Sequence, residues 1–260
     1  MNDAIRLTIE MAEDILEYHD YDSISDFTSI DDEAALLLSR HVFGLKLDGL
    51  RRLSSAAANH IGAHHTGELS LTGLEALSSL AARGLSKHKG DCIDLSGLRT
   101  LSDEAAKHLS AYEGYSLYLN GLTSLTDAAA ESLSTREGGL VELNGLQNLT
   151  DAMAESFGKS QLHLNLDGLK SLSDAAAASL SRHKHWLFLD GLTHLSDEAA
   201  TYFRTHEGNI SLTSLTNISN TNANCLTHRH GGVVLVHWHN LPQSVADILR
   251  SNSLIKQWPN

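Results

Sequence analysis

The chain contains little proline, cysteine or aromatic residue, and each shortage restricts what it can be. Its 260 residues include two prolines, Pro242 and Pro259, so no proline interrupts a helix or strand before the C-terminal end. Two cysteines, Cys92 and Cys225, are too few for a disulfide framework, and reduced thiols fit a cytoplasmic setting. Aromatic residues make up 5% of the chain, which predicts a core of leucine and alanine.

Positive charge and long apolar segments are also scarce. The chain has 19 Lys and Arg against 32 Asp and Glu, a formal net charge of −13. This balance argues against a nucleic-acid partner, because phosphate binding requires a surplus of Lys and Arg. No apolar run is long enough to cross a bilayer, and the first residues lack the basic and apolar regions of a signal peptide. We therefore expect a cytoplasmic protein without a membrane partner, and secretion by another route stays open.

A six-residue pattern, LxLxGL, dominates the rest of the sequence. Its copies are LKLDGL (45–50), LSLTGL (69–74), IDLSGL (93–98), LYLNGL (117–122), VELNGL (141–146), LNLDGL (164–169), LFLDGL (187–192), ISLTSL (210–215) and VHWHNL (236–241). The first five copies are 24 residues apart, the next three follow at 23, and the last at 26. Such regular spacing indicates a stack of repeated structural units.

Each repeat predicts a short strand followed by a short helix. Alternation of apolar and variable residues in LxLxGL is typical of a strand with one buried face. The glycine that ends it, such as Gly97, predicts a positive φ or a backbone crowded by its neighbour. The pair Ser102-Asp103 and its equivalents predict a helix N-cap followed by an anion in the first turn. Ala106 and Leu109 then lie on the apolar stripe of a helix.

One helix position is alanine in every repeat, which predicts close packing between stacked helices. The column comprises Ala35, Ala58, Ala82, Ala106, Ala130, Ala154, Ala177, Ala200 and Ala223. A single unit buries too little apolar surface to offset its ordering, so the stack needs capped ends. We expect an N-terminal helical cap at 1–27, a solenoid of about nine units at 28–241, and a C-terminal cap helix and tail at 242–260. The expected inward residues of the caps are Ile5, Ile9, Ala12 and Leu16, and Val245, Ile248 and Leu249.

The combined pattern LxLxGLxxLSDxAAxxLS resembles leucine-rich-repeat proteins, in particular the 23–24-residue repeats common in bacterial proteins. The resemblance covers about residues 28–241. It implies an α/β fold, a right-handed solenoid with parallel strands on the concave face and short helices on the convex face. It also implies recognition of proteins or peptides. The chain differs in having Gly-Leu where many such repeats have Asn-x-Leu, so the usual ladder of buried asparagines is absent.

The variable strand positions predict a partner-binding surface on the concave face. Its candidate residues are Tyr118, Leu140, Glu142, His163, Asn165, Trp186, Phe188 and Asp190. Large aromatic side chains are frequent among interface hot spots, and the acidic residues favour a basic or mixed-charge partner. An ordinary solvated sheet is the alternative. The fourth residue of each LxLxGL segment, just before the glycine, forms a further column along the repeats. The side chains of this column permit either a hydrogen-bonded ladder or a cation held between Asp167 and Asp190.

Histidine is abundant, with 16 residues. A column near the helix ends contains His41, His64, His88, His183 and His206. Cations and hydrogen-bond donors at this place are expected to interact with the unpaired carbonyls and with the negative end of the helix dipole. The alternative is a surface stripe that binds anions or a membrane surface. A second cluster near the C-terminus suggests a zinc site, with a degenerate capping repeat as the alternative. It comprises Cys225, His228, His230, His237 and His239.

Motifs of catalysis and cofactor binding are missing from the chain. GxSxG, GxxxxGK[ST] and GxGxxG do not occur. We therefore predict no enzyme, no cofactor and no metal ligand set. The leading hypothesis is a binding scaffold, and a self-assembling structural solenoid is the second. The identity of the partner and the oligomeric state stay open.

Overall fold

The computed structural model describes residues 5–19, 21–40, 42, 44–229, 231–237 and 241–257. The chain forms two compact units, residues 1–142 and 143–260. In both units short parallel strands alternate with short helices, so the predicted α/β repeat solenoid is confirmed. No helix in the described ranges is long and apolar enough to cross a membrane.

The first unit, residues 1–142, contains a stack of helices, a short two-stranded ladder and a longer parallel ladder. Its helices are α1 (Ile9–Tyr18), α2 (Asp32–Leu38), α3 (Ser55–Ile61), α4 (Ser79–Leu85), α5 (Asp103–Leu109) and α6 (Asp127–Ser134), with a 3-10 turn at Tyr21–Asp26. Its strands are β1 (Arg6–Leu7), β2 (Ser29–Ile30), β3 (Leu45–Lys46), β4 (Glu68–Ser70), β5 (Cys92–Asp94), β6 (Ser116–Tyr118) and β7 (Leu140–Glu142). Strand β1 pairs with β2, and β3 to β7 pair in chain order.

The second unit, residues 143–260, repeats the same alternation. Its helices are α7 (Asp151–Gly158), α8 (Asp174–Leu180), α9 (Asp197–Phe203), α10 (Asn220–Thr227) and α11 (Gln243–Arg250). Its strands are β8 (His163–Asn165), β9 (Leu187–Phe188), β10 (Ile210–Ser211), β11 (Val234–Val236) and β12 (Ile255–Gln257). They too pair in parallel and in chain order.

Each strand from β3 to β12 has a buried apolar residue, here called a rung, that pairs with the equivalent residue of a neighbouring strand. In most repeats this rung is the first residue of the LxLxGL segment. In the first unit the rungs are Leu45, Leu69, Ile93, Leu117 and Val141, and in the second they are Leu164, Leu187, Ile210, Val234 and Ile255. All ten are buried. Because successive strand side chains point to opposite sides, the residues before and after each rung lie on the other face.

The predicted N-caps are confirmed, and they also link consecutive repeats. The Ser102 hydroxyl accepts a hydrogen bond from the Ala105 N–H at 3.2 Å, as the Ser or Thr before α3, α4 and α6 to α10 does, whereas Asp31 before α2 forms no such bond. Such a cap stabilises a helix by about 1 kcal/mol. The cap hydroxyls of Ser54, Thr126, Ser173, Ser196 and Ser219 also donate to the first-turn aspartate of the preceding repeat, as Ser219 does to Asp197 Oδ1 at 2.7 Å. The Ser/Thr-Asp pair therefore joins helix starts into a ladder, which the sequence pattern alone did not predict.

Two small-residue positions allow the repeats to lie close together. The alanines of the helix column are all fully buried, as predicted. Gly97 does not have a positive φ. It is required by crowding, since a Cβ there would lie 2.0 Å from the Thr72 carbonyl oxygen of the preceding repeat. Of the two expectations for this glycine, close approach is the one confirmed.

The expected inward face of the N-terminal helix differs from the observed one. Helix α1 buries Ala12 and Ile15, while Ile5 and Ile9 are exposed and Leu16 is half-buried. Thr8 caps this helix as Ser and Thr cap those of the repeats, and α1 lies against α2. The segment therefore contributes a further helix to the stack. Of the expected inward residues Ala12 is correct, Leu16 is partly so, and Ile5 and Ile9 are wrong.

The last repeat also differs from its predicted register. Ile210 pairs with Val234, so the ninth strand segment starts at Val234 and not at Val236. The spacing is then 24 residues, in line with the others. Beyond it, helix α11 buries Val245 and Leu249 as expected. The predicted tail contains strand β12, which pairs with β11 and continues the parallel ladder.

Candidate functional site

The surface opposite the buried rungs, here called the strand face, carries the predicted binding residues. In the first unit it comprises Glu68, Ser70, Cys92, Asp94, Ser116, Tyr118, Leu140 and Glu142. In the second it includes His163, Asn165, Trp186, Phe188, Asn209, Ser211, Leu235 and Lys256. Each set lies on adjacent parallel strands, so the register of the rungs brings its members together.

Acidic side chains dominate the strand face of the first unit. Asp94, Tyr118 and Glu142 are in register on consecutive strands. Burial, followed by the charges of Glu68, Asp94 and Glu142, raises the pKa of the Cys92 thiol to about 12. Among the described residues no ion pair neutralises these three carboxylates. The surface therefore attracts positive charge and holds Cys92 as an unreactive thiol.

Hydrogen bonds hold two of these carboxylates in place. The Asp94 Oδ1 accepts from the Ser96 N–H at 2.8 Å, and the Glu142 Oε2 accepts from the Asn120 amide at 2.8 Å. Each carboxylate has further oxygen lone pairs available beyond that bond. Glu142 is therefore oriented on the face and retains the capacity to bind a cationic group.

An aromatic pair forms the centre of the strand face in the second unit. The rings of Trp186 and Phe188 stack with centroids 5.1 Å apart and planes inclined by 10°. Both side chains are half-buried, so they are less exposed than the sequence led us to expect. The Trp186 main-chain N–H donates to His163 Nδ1 at 3.2 Å. The predicted residues His163, Trp186 and Phe188 are thus brought together.

Two other predicted binding residues use their side-chain oxygens in structural hydrogen bonds, and Asp190 does so in a ladder between repeats. Asp190 Oδ1 accepts from the Ser211 hydroxyl at 2.6 Å and from the Thr213 N–H at 2.8 Å. Asp48 does the same in the first unit, where the Ser70 hydroxyl donates at 2.5 Å. Asn165 Oδ1 accepts from the Asp167 N–H at 3.1 Å. The hydrogen-bonded ladder, one of the two expectations for the column before glycine, therefore accounts for Asp190.

The predicted role of the helix-end histidines is wrong in one respect. His64, His88, His183 and His206 are fully buried, so they form no surface stripe for anions or membranes. Burial, the largest effect, lowers the pKa of His88, and it lowers the pKa of His183 and of His206 to about 4. These side chains are neutral and not cations near a helix dipole. His41 lies outside the described residues.

A buried donor column connects these histidines in the first unit. The rings of His64 and His88 stack with centroids 5.5 Å apart, and His88 Nδ1 donates to the His64 carbonyl at 2.8 Å. The next members are Tyr112, whose hydroxyl donates to Gly90 O at 2.7 Å, and Arg136. The Arg136 guanidinium donates to the carbonyls of Tyr112 and Gly114 at 2.7 and 2.9 Å. His88, Tyr112 and Arg136 therefore each satisfy main-chain carbonyls of the preceding repeat.

The second unit contains the same kind of column. The rings of His183 and His206 stack at 6.4 Å, and His206 Nδ1 donates to the Ser181 carbonyl at 3.2 Å. Arg229 donates to the carbonyls of His206 and Gly208 at 2.9 and 2.6 Å. The signal for the column was present in the sequence, because a donor recurs every 23–24 residues. The change from His to Tyr and Arg concealed it.

The predicted C-terminal metal cluster is not assembled among the residues described. His230 and His239 lie outside them. His228 Nδ1 contacts the Asn224 carbonyl at 2.6 Å, while His237 Nδ1 contacts the Gln257 amide at 3.2 Å. No group of three or more His, Cys, Asp or Glu within the described ranges could hold a metal ion. The corrected register also moves His237 from the second to the fourth position of the six-residue segment, the position that Asp190 holds two repeats earlier.

Comparisons with known proteins add little to this description. No protein-family model matches the chain, and no curated protein matches it. Among solved structures, a leucine-rich-repeat protein of Leptospira interrogans is similar at 11% sequence identity, covering 86% of this chain and 86% of that chain, with a TM-score of 0.24. A likeness of that size carries no structural argument. The class of protein, a repeat solenoid of strand–helix units, therefore rests on the strand register and helix stacking.

Proposed function

We propose that this protein is a non-catalytic scaffold that recognises a protein or peptide through its strand face. The observation that carries the proposal is the stacked pair of Trp186 and Phe188, half-exposed on a sheet whose backbone is held by ladder hydrogen bonds. Rigid aromatic side chains provide contact area at a low cost in conformational entropy. The stacked pair provides a preformed apolar surface against which an apolar side chain of the partner can pack.

The charge of the first unit supports a basic or mixed-charge partner. Glu68, Asp94 and Glu142 form no ion pair among the described residues, and Tyr118 lies between two of them. Such a surface favours Lys and Arg side chains and disfavours acidic ones, which sets selectivity more than affinity. Leu140, His163 and Asn165 complete the proposed contact residues.

A peptide-display selection against the immobilised protein tests this proposal. We expect enriched peptides to combine Lys or Arg with aromatic or aliphatic residues. The double substitution Trp186→Ala with Phe188→Ala should weaken binding of a selected peptide at least about 30-fold, because truncating an aromatic hot spot costs about 2 kcal/mol or more. Replacing Glu142 by Gln should reduce affinity for the basic peptides and the dependence of that affinity on salt.

A matched control removes apolar side chains away from the strand face. Leu36 and Leu80 are exposed on helices α2 and α4, and their replacement by Ala should leave peptide affinity unchanged. Enrichment of acidic peptides, or equal affinity of the Trp186/Phe188 variant, would contradict the proposal. If no peptide is enriched and light scattering shows a mass that rises with concentration, self-assembly becomes the better account.

A further inference from the structure

The main-chain N–H of Trp186, one of the aromatic pair, donates to a side chain, as the equivalent N–H of Val233 does to Asn209 Oδ1 at 2.7 Å. In the first unit, the N–H groups of Ser116 and Leu140 donate to main-chain carbonyls, at 2.8 Å to Asp91 O and at 2.7 Å to Tyr115 O. The Trp186 N–H occupies the same position in its repeat and donates to His163 Nδ1 at 3.2 Å. A titratable side chain thus replaces a carbonyl in the ladder.

The protonation state of His163 decides whether this hydrogen bond exists. An imidazole nitrogen accepts a hydrogen bond only while it retains its lone pair, so Nδ1 is unprotonated and the proton lies on Nε2. The imidazolium ion carries protons on both nitrogens and has no acceptor. Protonation of His163 therefore turns the acceptor of the Trp186 N–H into a second donor that faces it.

The surroundings of His163 favour its neutral form. Its ring meets that of His185 edge-on, with centroids 5.7 Å apart, and His185 meets the buried His183 at 6.1 Å. Burial, followed by the charge of His185, lowers the pKa of His163 below its ordinary value of 6.5. The hydrogen bond is therefore present at neutral pH and is lost as the pH falls through the lowered pKa.

The charged and titratable groups behind His183 lie farther along the buried column. His183 stacks on His206, and the charges near His206 are the cation of Arg229 and the exposed carboxylate of Glu207. His185 also contacts the Gln161 amide oxygen at 3.1 Å. His163 is thus the strand-face member of a row of four histidines, in which each ring contacts the next.

We propose that His163 is a pH-sensitive positioning residue for the aromatic pair, so that acidification releases the Trp186 backbone, loosens its stacking on Phe188 and weakens partner binding. The last step rests on the proposed function, whereas the first two are properties of the free protein. Neutral His163 holds the pair in the binding geometry. Charged His163 repels the Trp186 N–H and no longer holds the pair in that geometry.

The experiment follows the Trp186 main-chain amide by NMR in protein labelled with nitrogen-15 at its three tryptophans, without any partner. Replacing Trp186 by Phe assigns the signal. Between about pH 8 and about pH 5, we expect the signal to titrate and its protection from hydrogen exchange, corrected for intrinsic rates, to fall about fivefold, the value of one ordinary hydrogen bond. His183 and His206 titrate at about 4 and so stay neutral in this range.

Two substitutions of His163 separate its charge from its packing. His163→Asn offers a carbonyl oxygen near the position of Nδ1 and does not titrate, so Trp186 should stay protected at every pH in the range. His163→Leu offers no acceptor, and Trp186 should resemble the acid form even at about pH 8. A Trp186 titration that persists unchanged in His163→Asn would overturn the proposal, as would full protection in His163→Leu.

Peptide binding is measured in a separate arm. With a peptide selected on the parent protein, affinity should fall on acidification in the parent and stay constant in His163→Asn. If the amide titrates and no peptide binds the parent protein, the positioning role stands and the proposed function fails. If a peptide binds with the same affinity at every pH while the amide titrates, the last step of the proposal, the effect on binding, is overturned. If binding occurs and the amide does not titrate, the positioning role fails and the proposed function stands.

Discussion

The buried donor column runs His64, His88, Tyr112 and Arg136 in residues 1–142, and His183, His206 and Arg229 in residues 143–260. The buried Ser160 precedes His183 in this column, and its hydroxyl donates to Phe157 O within its own repeat. In both units the column ends in an arginine that donates to two carbonyls of the preceding repeat. The strand faces of the two units, in contrast, differ in their side chains. One presents carboxylates around a tyrosine, and the other presents an aromatic pair held by an imidazole.

The contrast separates what the solenoid needs from what its surface is free to vary. A buried carbonyl between repeats requires a donor, and imidazole, phenol and guanidinium all meet that need in this column. The strand face carries no such requirement except in the aspartate ladder. Its chemistry therefore differs between the units, and that difference is where recognition is expected.

Overpacking the alanine column tests whether both units depend on close helix stacking. Ala130→Phe in the first unit and Ala200→Phe in the second should each lower the free energy of unfolding by about 3 kcal/mol or more, because both sites are fully buried. Thermal melting followed by circular dichroism measures this. The matched control is Ala128→Phe on the exposed side of α6, which should change little. A melting temperature equal to that of the parent in the buried variants would contradict close stacking.

Removing the terminal arginine of each column should distinguish the units. Arg136→Met and Arg229→Met each leave two buried carbonyls without a donor, so we expect losses of about 2 kcal/mol. The loss should be greater for Arg136, because its guanidinium also lies 5.2 Å from the centroid of the Tyr112 ring. Urea denaturation provides the comparison, with the exposed Arg83→Met as control. Equal losses would remove the ring contact from the explanation.

Acid should destabilise the histidine column of the second unit. His183 and His206 have folded-state pKa values of about 4, below the ordinary 6.5. The unfolded chain then binds more protons, so the stability contributed by the neutral rings is complete above pH 6.5 and is lost as the pH falls toward 4. Between neutral pH and about pH 5.5 we expect a loss of about 1 kcal/mol per ring.

A substitution borrowed from the first unit sharpens this test. Tyr112 is followed two residues later by Gly114, and His206 is followed by Gly208 at the same distance, so His206→Tyr imitates the other column. The variant should retain a donor and reduce the slope of stability against pH, as measured by urea denaturation. A slope identical to that of the parent would show that His206 does not contribute to acid sensitivity.

The regular parts of the molecule were predictable because they depend on local chemistry repeated at a fixed period. Strand alternation, the Ser/Thr N-caps, the buried alanine column and the crowded glycine before each turn all followed from one repeat. The predicted strand position was wrong where the sequence departs from the repeat pattern. The last strand segment was displaced by two residues, since VHWHNL at 236–241 imitates the motif while Val234 supplies the rung.

The candidate site was predictable only as a set of positions. Alternation along the strands placed Tyr118, Glu142, His163, Trp186 and Phe188 on one type of face, but it did not decide between a ladder and a cation site for Asp190. It also did not reveal that the helix-end histidines are buried. Exposure depends on the next repeat, and a pattern within one repeat contains no information about the neighbour that covers it.

The sequence by itself determined the period, the strand and helix of each unit, and the small residues that let units approach. The tertiary structure alone decided which polar side chains meet carbonyls of a neighbouring repeat, and that His163 accepts the Trp186 N–H. The reason is physical. Helix caps and alternation are local properties of the chain, whereas hydrogen bonds between repeats depend on distances that exist only after stacking.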